Sequence, residues 1–536
     1  MLHPSAARKD ETMQRRHFIA GAAGLLAMPA IARAQGSSVL KFVPDADLAS
    51  LDPIWTTSYQ SRDHGFLVYD TLYGTDSQFR PQPQMLEKVA VATGGLEWKL
   101  TLRTGLKFHD GERVLARDAV ASIARWGKRD SFGQALLAAT DELFAGDDRT
   151  IVFRLKYPFP LLPDALSKTA PSMCAIMPER LATTDPFTAV KEAIGSGPYR
   201  YKADERVPGA LVVYERNPDY LPRDEPADRT AGGKVAHFDR VEWRVIPDTS
   251  TAASALQRGE VDWWYTPNAD LLPMLRKSAG VATKVIVPTG TIATMRFNQM
   301  QPPFDNPAIR RAIVGAVQQS EYMTAVMGDD RTMWRDGIGY FCPDTPMASD
   351  AGMTALTGPR DLDAAKRALT AAGYQGERVV LLAPQDIPSS KALADVTADL
   401  LKRLDMTLDI QAMDWATVVQ RRAKMDPVAQ GGWSIFQTSW NGLDQFNPAV
   451  HVFLRGNGKD AAPGWPTSPK LEELRDAWLK APDLAAQKQI CVQMQLQAFQ
   501  DVPYIPLGQT ILPTAFRSDL TGMLDGLPLF WNIRRG

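Results

Sequence analysis

Apolar side chains recur along this chain with two periods, and the switches between them mark its elements. Trp98, Leu100 and Leu102 alternate with Lys99, Thr101 and Arg103, the period of two that belongs to a half-buried strand. Thr104-Gly105 and Asp110-Gly111 follow, where glycine accepts the positive φ of a tight turn. Val120, Ile123 and Ala124 then share one face of a helix predicted over 116–126. Earlier, the apolar run Val39 to Val43 predicts a strand. It leads into Leu51-Asp52-Pro53 and on through Trp55 and Tyr59 to a helix ending near Tyr73. Gly195-Ser196-Gly197-Pro198-Tyr199 and Asn217-Pro218-Asp219-Tyr220 are breakers. Val241, Trp243 and Val245 alternate again, and 256–264 reads as helix end, turn and strand.

In the C-terminal half, Asn306 before Pro307 predicts a helix start, a capping side chain followed by the residue whose missing N–H costs nothing there. Ile309, Ala312, Ile313, Ala316 and Val317 continue as one stripe. Residues 378–382 read as a buried strand, Leu393, Val396, Leu400, Leu401 and Leu404 as a helix, and Leu408, Ile410 and Ala412 as a further strand. Strand, helix and strand at these lengths predict a βαβ unit and a parallel sheet. Another strand is expected over 433–439.

The first residues carry a different pattern. Arg8, Lys9, Arg15 and Arg16 precede an apolar run from Phe18 to Ile31, and Ala32-Arg33-Ala34 fits a small-x-small cleavage site, the layout of an export signal over 1–34. Arg15-Arg16-His17-Phe18-Ile19 matches a twin-arginine signal; a general secretory signal with two adjacent arginines is the other reading. No Cys follows Ala34, which argues for a free periplasmic protein over a lipid-anchored one. Five basic and two acidic side chains in 1–34 leave the remainder at −4 when the whole chain stands at −1. That balance excludes a nucleic-acid footprint. Cys174, Cys342 and Cys491 allow at most one disulfide and are too scattered for a zinc site.

Taken as one string, the 102–120 segment LRTGLKFHDGERVLARDAV closely resembles the signature of the bacterial extracellular solute-binding proteins of family 5, which serve peptide and nickel importers. The breaker clusters and the LQRGEVDWW stretch resemble further landmarks of that family, in its order. The resemblance implies an α/β, two-lobed periplasmic binding protein fold (type II, cluster C) with an extra α+β domain. The first lobe would be 36–75, 192–290 and 505–536, the extra domain 76–191, and the second lobe 291–504. It also implies a transport receptor, likewise periplasmic and monomeric, that closes on a small peptide-like or cationic solute and hands it to the permease subunits of an ABC importer.

Ligands of open α/β sheets bind beyond the carboxyl ends of the strands, and two aspartates are predicted there. Asp386 follows the strand ending near Leu382, and Asp444 the strand ending near Ser439. Asp386 is equally readable as a solvated turn or helix cap, and Asp444 is the stronger candidate. The family resemblance implies more for Asp444: four residues before Pro448, it matches the aspartate that grips a peptide's amino group, with Trp440 and Asn441 beside it. In an ungapped comparison of the APQDIP segment, Asp386 stands where dipeptide-binding relatives carry an arginine for the ligand carboxylate. A cationic or hydroxyl-rich far end is therefore expected. Trp55, Tyr59 and Trp433 are candidate cleft aromatics beside Trp440 and Trp465, while Trp98, Trp126, Trp243 and Trp478 read as core.

Enzymatic motifs are missing: there is no GxSxG elbow, P-loop, HExxH or Rossmann fingerprint. His64, His109, His237 and His451 are not spaced as ligand pairs, so no metal and no cofactor is expected. A metal-chelate or haem carrier of the same fold is the alternative reading, and a hydrolase using an aspartate pair the next.

Overall fold

Three sheets organise residues 38–536, the part of the chain that the computed structural model describes. The export-signal reading over 1–34, with its arginine pair, lies outside the described residues. Among the described residues, no helix is long and apolar enough to cross a membrane.

A seven-stranded sheet runs from edge to edge through Val281–Lys284, Thr514–Arg517, Trp263–Trp264, Val39–Val43, Arg240–Arg244, Leu211–Arg216 and Tyr199–Tyr201. Its centre is parallel, Val39–Val43 pairing with Arg240–Arg244 on one side and Trp263–Trp264 on the other. Phe42 fixes that centre by meeting the Trp263 ring at 4.7 Å and the Phe530 ring at 4.9 Å, both edge to face. The helix that starts at Tyr59 stops at Val68 instead of reaching Tyr73. Gly197 N–H takes the Val68 carbonyl, and Tyr73–Thr75 pairs as a strand with Pro81–Pro83.

The alternating segment around Trp98 forms Glu97–Leu102 in a four-stranded antiparallel sheet with Leu86–Val91, Thr140–Ala145 and Thr150–Leu155. Helices Ala116–Arg129 and Ser131–Ala139 follow and bury Ile123, Trp126, Phe132 and Leu136. His109 joins this region to the glycine-rich breaker. Its Nδ1 accepts the Gly195 N–H at 3.4 Å, so Nε2 donates to the Gly197 carbonyl at 3.1 Å.

The third sheet has the order Trp334–Arg335, Ile505–Thr510, Thr291–Phe297, Ile435–Asn441, Val379–Pro384 and Leu408–Met413. The predicted βαβ unit is there: Val379–Pro384 and Leu408–Met413 are parallel, with helix Pro388–Arg403 between them burying Leu393, Leu400 and Leu401. Asn306 caps the helix Pro307–Val314 by accepting the Ala308 N–H.

The chain passes between the seven- and six-stranded sheets twice, at 285–290 and 511–513. The second passage lies later than the expected return at 505. Ile505–Thr510 is hydrogen-bonded along Thr291–Phe297 and therefore belongs to the second lobe's sheet. The crossings touch: a Cβ on Gly290, whose φ is 47°, would stand 2.1 Å from the Thr510 carbonyl. Only glycine fits that approach.

Candidate functional site

Where the two crossings meet, strand ends from both sheets enclose a cavity of about 210 Å³. The first lobe supplies residues just beyond its central parallel strands: Asp45 after Val39–Val43, and Tyr265 and Thr266 after Trp263–Trp264. Tyr59 comes from the first turn of the helix Tyr59–Val68. The second lobe supplies Thr291 at the start of its strand and Ser439, Trp440 and Asn441 at the end of the neighbouring one. Ile286, Val287 and Gly290 of the first crossing, Leu512 of the second and Thr510 and Thr514 on either side of it complete the lining.

Asp444 sits in the tight turn Gly442–Gln445 that continues from the strand Ile435–Asn441. The turn is held against the first crossing by Gly442 N–H donating to the Gly290 carbonyl at 2.9 Å. A Cβ on Gly442 would stand 2.1 Å from the Thr289 carbonyl, so the close approach needs glycine. This brings the buried Asp444 carboxylate to the hydroxyl of Tyr59, which donates to Oδ2 at 2.5 Å. The same hydroxyl oxygen accepts the Asn441 N–H at 3.2 Å. A side chain of the first lobe is therefore bonded twice to the second.

Arg62 lies one helical turn beyond Tyr59, fully buried, its guanidinium 5.0 Å from the Tyr59 ring centre. Its Nε and Nη2 go to Asp63 at 2.9 and 2.8 Å. Burial opposes the charge on Arg62, but the carboxylates of Asp63 and Asp444 together with Tyr265 hold its pKa above the usual value. Burial also raises the pKa of Asp444, against the lowering effect of the Tyr59 hydrogen bond and of the charges on Arg62 and Lys168. The Tyr59 phenol is raised well above its ordinary value, first by burial and then by the adjacent Asp444 charge. None of the residues lining the cavity is Lys, Arg or His.

Of the residues singled out in the sequence, Tyr59, Trp440 and Asn441 line the cavity, and Asp444 lies directly behind Tyr59. Trp440 packs on Phe453 at 4.8 Å, with the Arg296 guanidinium 4.4 Å from the same Phe453 ring. Three others are elsewhere. Asp386 is exposed, and its Oδ1 accepts the Trp415 N–H at 2.8 Å at the start of the helix Trp415–Arg422, helping Asp414 to cap that helix from a neighbouring loop; it is not part of the cavity lining. Trp433 is fully buried among Val380, Leu382, Phe436 and Trp465, in the loop just before the strand Ile435–Asn441, which starts two residues later than expected. Trp55 donates its indole N–H to the Phe187 carbonyl at 3.0 Å, on the side of the extra domain. Asp45, Tyr265 and Thr266 were missed, although the strand-end rule used for Asp444 applies equally to the two strands preceding them. Among the described residues, no three His, Cys, Asp or Glu side chains converge as a metal site, and all three cysteines are buried free thiols.

Comparison with known proteins places this geometry in a family. Residues 80–459 match the model for bacterial extracellular solute-binding proteins, family 5 Middle. A probable peptide ABC transporter periplasmic-binding protein of Sinorhizobium fredii is 36% identical, the match covering 98% of this chain and 100% of that one. A glutathione-binding protein of Pectobacterium atrosepticum is 24% identical over 95% of this chain and 96% of its own length. Among solved structures, the periplasmic binding protein AgaA of A. tumefaciens in complex with agropinic acid superposes with a TM-score of 0.76 at 19% identity. That superposition covers 93% of this chain and 99% of AgaA. A dipeptide-binding protein of Pseudoalteromonas in complex with Met-Leu gives 0.75 at 19% identity, covering 93% and 100%. At such identity the structures establish the shared fold.

Proposed function

The chain belongs to the bacterial extracellular solute-binding proteins of family 5, and from that premise we propose that it is the periplasmic receptor of an ABC importer. It captures a small amine-bearing or peptide-like solute by closure of its two lobes and presents the closed form to permease subunits. The observation that carries this reading is the cavity at the double crossing, walled by strand ends of both sheets. A body joined by two short crossings moves as a hinge, and a ligand touching both walls favours the closed population by its extra contacts there. Asp444, with Tyr59, supplies the negative end of the site, and Trp440, Tyr59 and Tyr265 supply aromatic walls. The protein acts as a monomer and binds without turnover. It is exported by its arginine-pair signal and cleaved after Ala34, so an Arg15→Lys, Arg16→Lys variant accumulates as uncleaved precursor.

Mass spectrometry of small molecules released from the purified protein tests this reading. The expected result is a defined solute that, added back to stripped protein, reduces the radius in small-angle scattering, changes tryptophan fluorescence and is recovered chemically unchanged. A bound solute with no change of radius, or one converted to product, overturns it.

A further inference from the structure

The cavity is lined by one carboxylate and by no cationic side chain. Asp45 lines it from the first lobe, and none of the ion pairs among the described residues includes it; its one side-chain partner is the Gln60 amide, which donates to Oδ1 at 2.8 Å. Behind the wall stand two further carboxylates, Asp63 and Asp444, and a single guanidinium, Arg62. Arg62 is fully buried under the Tyr59 ring and held by Asp63 through two nitrogens. Arg62 is committed to Asp63 and is not part of the cavity lining, so Asp45 faces the cavity with no cationic side chain beside it. The remaining polar lining is neutral: Thr266, Thr291, Ser439, Asn441, Thr510 and Thr514. Such groups satisfy hydroxyls and amides, but they do not offset the cost of taking an anionic group out of water.

We infer that Asp45 is the specificity-determining charge of this cleft, and that the cargo is a compact cation bearing hydroxyl or amide groups and no free carboxylate within the cavity. The inference rests on the reading of the cleft as the cargo site and narrows it. An ammonium placed between Asp45 of one lobe and the Tyr59–Asp444 pair relieves the uncompensated negative charge from both sides, and it does so only when the lobes are closed. A zwitterionic solute brings the same ammonium together with a carboxylate that finds no cation. The volume of about 210 Å³ lies below the range of roughly 300–1,000 Å³ of pockets for drug-sized ligands, which matches a compact solute.

Yeast extract provides the test. It is separated at pH 7 on a strong cation exchanger into retained net-cationic solutes and unretained zwitterionic and anionic ones. Each fraction is added to protein stripped of cargo, and thermal unfolding is followed. The retained fraction alone is expected to raise the melting temperature. For the active solute purified from it, Asp45→Asn should lower affinity by about tenfold or more and weaken the dependence of affinity on salt. Asp45→Glu should preserve both, and the unliganded melting temperature of neither variant should fall below that of the wild type. Stabilisation by the unretained fraction, or wild-type affinity and salt dependence in Asp45→Asn, overturns the inference while leaving the cargo site standing. If neither fraction stabilises the protein, the cargo-site reading falls, and the inference with it.

Discussion

Asp386 and Asp444 follow adjacent parallel strands of one sheet, at the ends where ligands of such sheets bind, yet they have opposite fates. Asp386 is exposed and holds the first amide of a neighbouring helix; Asp444 is 2% exposed and bonded to a side chain of the other lobe. The strands' positions in the sheet make the difference. Ile435–Asn441 is paired along its whole length with Thr291–Phe297, the strand that emerges from the first crossing. Val379–Pro384 lies one strand further out. The loop after the inner strand is therefore delivered to the hinge, where Gly442 fastens it to Gly290, and the loop after the outer strand is not. A strand end becomes part of a site when its strand borders the chain crossing, and a carboxylate alone does not make it one.

The contrast is most exposed to test in binding. Asp444→Asn should weaken cargo binding by roughly 2–5 kcal/mol, the cost of breaking a buried charge pair, while Asp386→Asn leaves affinity unchanged in calorimetry. Equal losses in the two variants would remove the distinction. Tyr59→Phe deletes the hydroxyl between Asp444 and Asn441 and should cost about 1.5–3 kcal/mol, the worth of a hydrogen bond to a charged group. The loss should appear as a larger radius of the unliganded protein in scattering. Gly442→Ala should destabilise the fold by about 1–3 kcal/mol in urea titration, because its methyl group meets the Thr289 carbonyl. Asp386→Ala should cost only about 0.5–1 kcal/mol, in keeping with a lost helix cap.

Acidification separates the pair as well. Burial raises the Asp444 pKa above the ordinary 3.8, and a cationic solute needs this carboxylate ionised. Affinity should therefore fall as pH drops, starting above the range of an ordinary aspartate. The part of this fall that lies above the ordinary aspartate range should vanish in Asp444→Asn and persist in Asp386→Asn. Stability of the unliganded protein carries a separate pH signature. Burial lowers the pKa of His109 to about 4 from an ordinary 6.5, so between those values the unfolded chain binds more protons than the folded one. Its contribution is complete above pH 6.5 and is lost as pH falls towards 4, visible as a declining urea midpoint. His109→Gln should flatten that decline.

The sequence by itself determined what depends on neighbours along the chain. Alternation fixed Glu97–Leu102 and the apolar stripe fixed the helix within the βαβ unit, because burying one face demands a matching period. Asn306-Pro307 started a helix through its own side chain and missing amide, and the 102–120 string was enough to indicate the family. The strand-end rule pointed to the loop carrying Asp444, and the family resemblance singled out Asp444 with Trp440 and Asn441 beside it; these residues and Tyr59 lie at or beside the cavity. What only the tertiary structure decided was which ends converge. Trp433 was drawn into the core and Asp386 into a helix cap, and Ile505–Thr510 was claimed by the second lobe's sheet. Asp45, Tyr265 and Thr266 came to face Trp440 and Asn441 across a cavity. Local pattern specifies a strand and its turn, but the order of strands in a sheet is set by pairings between distant segments. Val39–Val43 beside Trp263–Trp264, and Thr291–Phe297 between Ile505–Thr510 and Ile435–Asn441, are such pairings. They put the hinge, and with it the site, where no single stretch of the chain records it.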